Sequence, residues 1–172
     1  MKRLLVNIAG FQIGWFSSIL LGARALPFVA TPIVLAVVGL NAALAPRPMK
    51  FLRAVLLIAA VGCFIDLGLL LTGMLRFDGP AWIFLLLFFG LWMNFAATLG
   101  VSFRWMRGRP FLAAVLGALG GSSTYYAGAR LGALELHDNL ALALGVIGIE
   151  WAIAMPVAIA AWWRLVPETD TP

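Results

Sequence analysis

The sequence predicts an all-α integral membrane protein with six transmembrane helices and both termini in the cytoplasm. Three observations predict it. Apolar residues make up 63% of the chain and charged residues 11%, with a mean hydropathy of +1.03, whereas soluble domains average about half apolar and a quarter charged. The apolar residues fall into runs of about 20, the length that crosses the hydrocarbon core of a bilayer. Short turn signals separate the runs, so residues 1–172 form a single transmembrane domain with no soluble domain or flexible linker.

The first helix is expected over about 4–22. Met1-Lys2-Arg3 before it and Ala23-Arg24-Ala25 behind it also fit a secretory signal with a small-x-small cleavage site. Asn7, Gln12 and Trp15 interrupt the run and Arg24 sits inside the motif, so the segment reads as a retained span. Cleavage would leave five spans with the remaining orientation unchanged. Asn7, Gly10, Gly14 and Ser17 share one helical face, with Gln12 and Trp15 on another.

The second helix, about 26–45, holds Pro27, Pro32 and Asn41, and Pro46 and Pro48 end it. The third, about 52–73, has a small-residue face of Ala59, Gly62, Cys63, Asp66 and Gly73 that calls for burial against a neighbour. Asp78-Gly79-Pro80 breaks the chain before the fourth helix, about 80–101, where Trp82 marks a membrane boundary. Asn94 shares a face there with Gly90 and Thr98, while Trp92 points elsewhere.

Arg107-Gly108-Arg109-Pro110 precedes the fifth helix, about 111–132. Its stretch from Gly117 to Gly132 carries two glycine pairs at a spacing of four, Gly117 with Gly121 and Gly128 with Gly132, and Tyr125 lies between them. In lipid that pattern permits close helix approach. The sixth helix, about 139–163, ends at Trp162 and Trp163, whose rings suit a membrane boundary. Glycine faces on the third, fifth and sixth helices serve intrachain packing and homo-oligomerisation equally well.

Orientation comes from the basic residues. With six spans, Lys2, Arg3, Arg47, Lys50, Arg53, Arg104, Arg107, Arg109 and Arg164 fall on one side and Arg24, Arg76 and Arg130 on the other. The positive-inside rule puts the richer side in the cytoplasm. The net charge of +5 is spread as punctuation between apolar runs, which excludes a nucleic-acid surface. The single cysteine, Cys63, rules out an intramolecular disulfide, and the single histidine, His137, belongs to no metal-ligand spacing. No phosphate loop, nucleophile elbow or cofactor motif is present, so a membrane enzyme with Glu150, Asp66 or His137 as acid/base ranks only third among the readings.

Glu150 stands in the middle of the sixth helix with apolar residues on both sides. A charge at that depth costs about 2.5–3.5 kcal/mol on insertion scales, and such groups mark proton paths or ligand sites by default. A protonated structural acid is the alternative of equal weight. Asp66 is expected to pair with Arg130 across helices. Cys63-Phe64-Ile65-Asp66 and Ile147-Gly148-Ile149-Glu150 occupy matching places in two halves, a faint sign of the inverted repeats of transporters. Tyr125, Tyr126, Gln12, Trp15, Asn94 and Trp92 complete a polar and amphipathic set at mid-depth or outward, from which a shared ligand cavity is inferred. His137, in Glu135-Leu136-His137-Asp138, reads as a solvated loop residue.

The residues Asn7…Gln12…Trp15-Phe16, Asp66, Pro80-x-Trp82, Leu91-Trp92…Phe95-Ala96-x-Thr98-Leu99 and Gly120-Gly121…Tyr125-Tyr126-Ala127-Gly128-x-Arg130-Leu131-Gly132 resemble a domain-of-unknown-function family of small proteobacterial inner-membrane proteins. In that family a proline often follows the paired glycines, where Ser122 stands here. The resemblance implies a multi-pass bacterial inner-membrane protein without a known activity. Its members are often encoded near cyclopropane-fatty-acid synthase and a flavin-dependent oxidase. That association implies membrane lipid and lipid-modifying enzymes as partners, in lipid modification or the response to oxidative stress. The leading expectation is therefore an accessory or lipid-handling factor. The alternative is a small proton-coupled transporter using Glu150 and Asp66.

Overall fold

Proline sets the start of three helices, because its fixed φ and missing N–H suit the first helical position. Pro27 opens α2 (Pro27–Ala43), Pro48 opens α3 (Pro48–Leu71) and Pro110 opens α5 (Pro110–Arg130). With α1 (Lys2–Gly22), α4 (Ala81–Ala96) and α6 (Leu140–Leu165) they form the six helices of a computed structural model that describes residues 2–24 and 26–167. A two-residue antiparallel ladder pairs β1 (Leu75–Arg76) with β2 (Glu135–Leu136), joining the α3–α4 and α5–α6 connections at one end of the bundle.

The fourth helix stops five residues short of the expected end at 101. After Ala96 the chain runs in turns to Phe103 and a 3-10 turn, Arg104–Met106. Side chains from other helices hold this break. The Asn7 amide donates to Ala97 O at 2.9 Å and to Asn41 Oδ1 at 2.7 Å, and the Ser102 hydroxyl donates to Asn7 Oδ1 at 2.5 Å. Gly100 lies so close to the Trp162 indole that a Cβ would collide with it. Buried non-helical backbone is tolerated when protein groups satisfy it. The same contact corrects the expectation for Trp162. It is no boundary anchor but a core residue, 1% exposed, edge-on to Phe51 at 5.3 Å. Trp163, beside it, lies under the Arg107 guanidinium at 4.6 Å.

The fifth helix also stops early, at Arg130, and Gly132 beyond it takes a φ of +80°. Gly128 and Gly132 are therefore not a helical pair, because the second belongs to the turn that ends the helix. The pair Gly117 and Gly121 holds as expected. Trp151 of α6 presses onto both glycines and Met155 onto Gly117, closely enough that neither leaves room for a side chain. Ser122 continues the helix and donates its hydroxyl to Leu144 O at 3.0 Å.

Packing then runs in a defined order. α1 packs on α2 and α4, α3 on α4 and α6, and α5 almost wholly on α6. The buried face of α3 holds Ala59, Gly62, Cys63 and Asp66 as expected, but Gly73 is not on it, because the helix ends at Leu71 and Gly73 takes a φ of +72° in the turn beyond. Gly62 admits the Trp92 ring directly against the α3 backbone. Because α5 rests mainly on α6, α1 and α5 stand apart along much of their length. They approach only near the ladder end, where Ile19 Cδ1 comes within 3.5 Å of the position a Cβ on Gly128 would take.

Candidate functional site

The space that α5 leaves is a cavity of about 410 Å³. α1 supplies Phe11, Trp15 and Ile19 to its wall, and α4 supplies Phe88, Leu91, Trp92 and Phe95. Trp151 and Met155 of α6 form the side on which α5 rests. Leu116, Gly120 and Thr124 of α5 line the cavity and are themselves exposed, so the cavity opens along a face of α5 that no helix covers. Its wall is aromatic and aliphatic, with few polar groups.

The polar groups converge on Asp66, which α3 brings to the wall fully buried. Trp92 donates its indole N–H to Asp66 Oδ2 at 2.6 Å, and the Tyr125 hydroxyl donates to Asp66 Oδ1. Each carboxylate oxygen thus has a donor of its own, as a buried acid requires. Trp92 in turn stacks on Trp151 with centroids 4.8 Å apart and planes 8° from parallel. Phe95 meets both indoles edge-on, at 5.5 Å and 5.1 Å. Phe88 stands 6.3 Å from the Tyr125 ring. The result is a box of rings around one carboxylate.

The expected Asp66–Arg130 pair does not form. Arg130 is exposed at the end of α5, while indole and phenol donors occupy the carboxylate. Of the other expected residues, Trp15, Trp92 and Tyr125 line the cavity with Asp66. Gln12 and Tyr126 are exposed on outward faces and take no part. Asn94 is buried but elsewhere, donating to Phe11 O at 2.9 Å and pressed against Gly14. Glu150 lies behind the wall, within electrostatic range of Asp66 and Tyr125. Both its carboxyl oxygens are shielded and have no hydrogen-bond partner among the described residues.

Sequence reasoning missed Trp151, the central ring of the box. It was hidden because an indole in an apolar helix has the pattern of ordinary core. It also missed the closure of the ladder end. There Arg76 makes a bidentate pair with Asp138, at 3.0 and 2.9 Å, and His137 N donates to Met74 O at 3.1 Å. The Asp138 carboxyl is held below the usual aspartate range by the Arg76 guanidinium hydrogen-bonded to it. His137 does not stand free in its loop, since its Nδ1 accepts from Asn139 N at 3.0 Å. Among the described residues no three potential metal ligands come together.

Three of the helices, Lys2–Gly22, Pro48–Leu71 and Leu140–Leu165, are long and apolar enough to cross a bilayer. Fold and site together define an all-helical protein of membrane character, built around an aromatic cavity with one buried acid at its wall. The chain belongs to the family described as protein of unknown function DUF2878, whose model matches residues 4–157. Neither a curated protein nor a solved structure matches it.

Proposed function

We propose that this chain is a multi-pass protein of the bacterial inner membrane that binds a lipid or small amphiphile, as an accessory or lipid-handling factor in membrane-lipid modification. The cavity carries the reading. It is largely apolar, holds about 410 Å³, lies within the size range of small-molecule sites, and opens sideways between α1 and α5, the direction from which a membrane-dissolved molecule would come.

In that placement the chain crosses six times with both termini cytoplasmic, and α5, 21 residues long, is the least apolar of the six helices. Beside the three long helices, α2 and α4 are apolar and 17 and 16 residues long. At 1.5 Å per residue they extend about 24–26 Å, and the satisfied break after α4 extends its path within the protein. Large apolar side chains such as Phe28, Phe64, Leu71 and Phe111 are 71–82% exposed around the bundle, an arrangement suited to lipid and not to water.

The test is mass spectrometry of membrane lipids from cells with the gene intact, deleted, or carrying Tyr125→Phe, together with native mass spectrometry of the purified chain. A lipid species that co-purifies, and whose abundance changes on deletion and on substitution, supports the reading. A lipid-free protein and an unchanged lipid profile overturn it.

Glu150 favours a second reading, a small proton-coupled transporter. An acid with both oxygens shielded and unpartnered, beside a second acid, has the placement of a proton carrier. Flux in liposomes that ignores a pH gradient and survives Glu150→Gln overturns that reading.

A further inference from the structure

The cavity has a charge character as well as an apolar one. Its only ionisable group of strong character is Asp66, and no lysine, arginine or histidine is among the residues that line it. Glu150, close behind, is a second acid with no basic partner among the described residues. Around Asp66 stand Trp92, Trp151, Phe95 and Tyr125, of which Trp92, held between Gly62 and Trp151, presents its edge. Ring faces carry negative potential and attract cations, and quaternary ammonium groups are the ligands that aromatic cages with little hydrogen-bonding capacity select. A phosphate or carboxylate would meet the opposite. It would be drawn from water into an apolar box with no cation to pair it and an acid to repel it.

We propose that the occupant of this cavity is a lipophilic monocation, an apolar molecule carrying one quaternary ammonium or phosphonium centre, seated on the Asp66 side of the aromatic wall and entering between α1 and α5. A centre of this kind has no N–H to satisfy. It does not compete with Trp92 and Tyr125 for the carboxylate oxygens, and it offsets the acid by proximity. Phospholipid head groups are disfavoured by the same chemistry, because each carries a phosphate that the wall cannot pair. The proposal rests on the cavity being a binding site and adds the charge of what it binds.

The experiment uses the full-length purified chain in a neutral detergent with two probes of the same shape and opposite charge, tetraphenylphosphonium and tetraphenylborate. Binding is read by calorimetry and by quenching of tryptophan fluorescence. The cation should bind at least about tenfold more tightly than the anion, the scale of a desolvated cation–π contact plus an ion pair. Asp66→Asn should remove that preference, and Gly120→Phe should weaken both probes by filling the mouth, since a side chain there meets nothing within 4 Å.

Equal affinity for the two probes, or a preference for the anion, overturns the proposal on the unmodified protein alone, whether or not Asp66→Asn folds. A folded Asp66→Asn that keeps the full preference overturns it as well. A bound neutral lipid without any charge preference overturns this proposal and leaves the binding function standing. A chain that binds neither probe and carries no lipid overturns both.

Discussion

Trp92 reaches Asp66 because Gly62, four residues before the acid on α3, has no side chain. The indole lies flat against the backbone at Gly62 and donates to Asp66 Oδ2 at 2.6 Å. A Cβ at that place would overlap the ring, and the ring cannot retreat because Trp151 stacks on its other side at 4.8 Å. The position of the acid, the stacked rings and the cavity wall therefore depend on a glycine that takes no part in binding.

Gly62→Ala should destabilise the folded chain by about 1–3 kcal/mol, the range for overpacking a filled interior. Thermal unfolding in detergent, followed by tryptophan fluorescence, measures it. A wild-type midpoint would show that the ring is free to move.

The α5–α6 contact separates two glycines that look alike in sequence. Gly117 faces the backbone oxygen of Trp151, which cannot yield, whereas a Cβ on Gly128 would meet Ile19 at an ordinary 3.5 Å. Gly117→Ala should cost about 1–3 kcal/mol, and Gly128→Ala should be close to neutral. The order of the two melting temperatures decides, and equal values would contradict the packing.

Asn7 is the pin of the broken segment after α4. Asn7→Leu strands Ala97 O, Asn41 Oδ1 and the Ser102 hydroxyl in the interior. Each unsatisfied buried group costs about 1–3 kcal/mol, so a loss of about 3 kcal/mol or more is expected. Hydrogen exchange should rise first at residues 97–103, ahead of α3 and α6. Uniform protection would show that the segment holds itself.

Acid should loosen the ladder end before the bundle. The Asp138 carboxyl is depressed below its ordinary value of 3.8 by Arg76. A group with a lowered folded-state pKa contributes stability above its unfolded value and loses it as pH falls through the folded one. The pair is exposed and solvent-screened, so its effect is local. Exchange of the His137 amide, which donates to Met74 O, should quicken below the ordinary aspartate value and in Asp138→Asn, with the global melting temperature unchanged. A shift of the whole transition would assign the pair a larger role.

Topology is open to cysteine labelling because the single native thiol, Cys63, is only 6% exposed. In intact cells Asp78→Cys should react with a membrane-impermeant maleimide, and Met49→Cys should react only after the membrane is opened. Both positions are exposed. The reverse pattern would invert the orientation that the arginines imply.

The division between sequence and fold runs along a physical line. Periodicity and breakers are local, so the chain alone determined six helices, the breaks between them, most of the buried small-residue face around Asp66 and the close-packing pair Gly117 and Gly121. It misplaced what depends on a partner. Asp66 was expected to seek Arg130, since opposite charges attract, yet inside the bundle an indole and a phenol satisfy the carboxylate without burying a second charge. Trp162 was expected at a boundary, and Gly100 from a distant turn made it core. Helical spacing tells which residues share a face, but not which helix covers that face. Only the tertiary structure decided that α5 leans on α6 and stands off α1, and that decision creates the cavity.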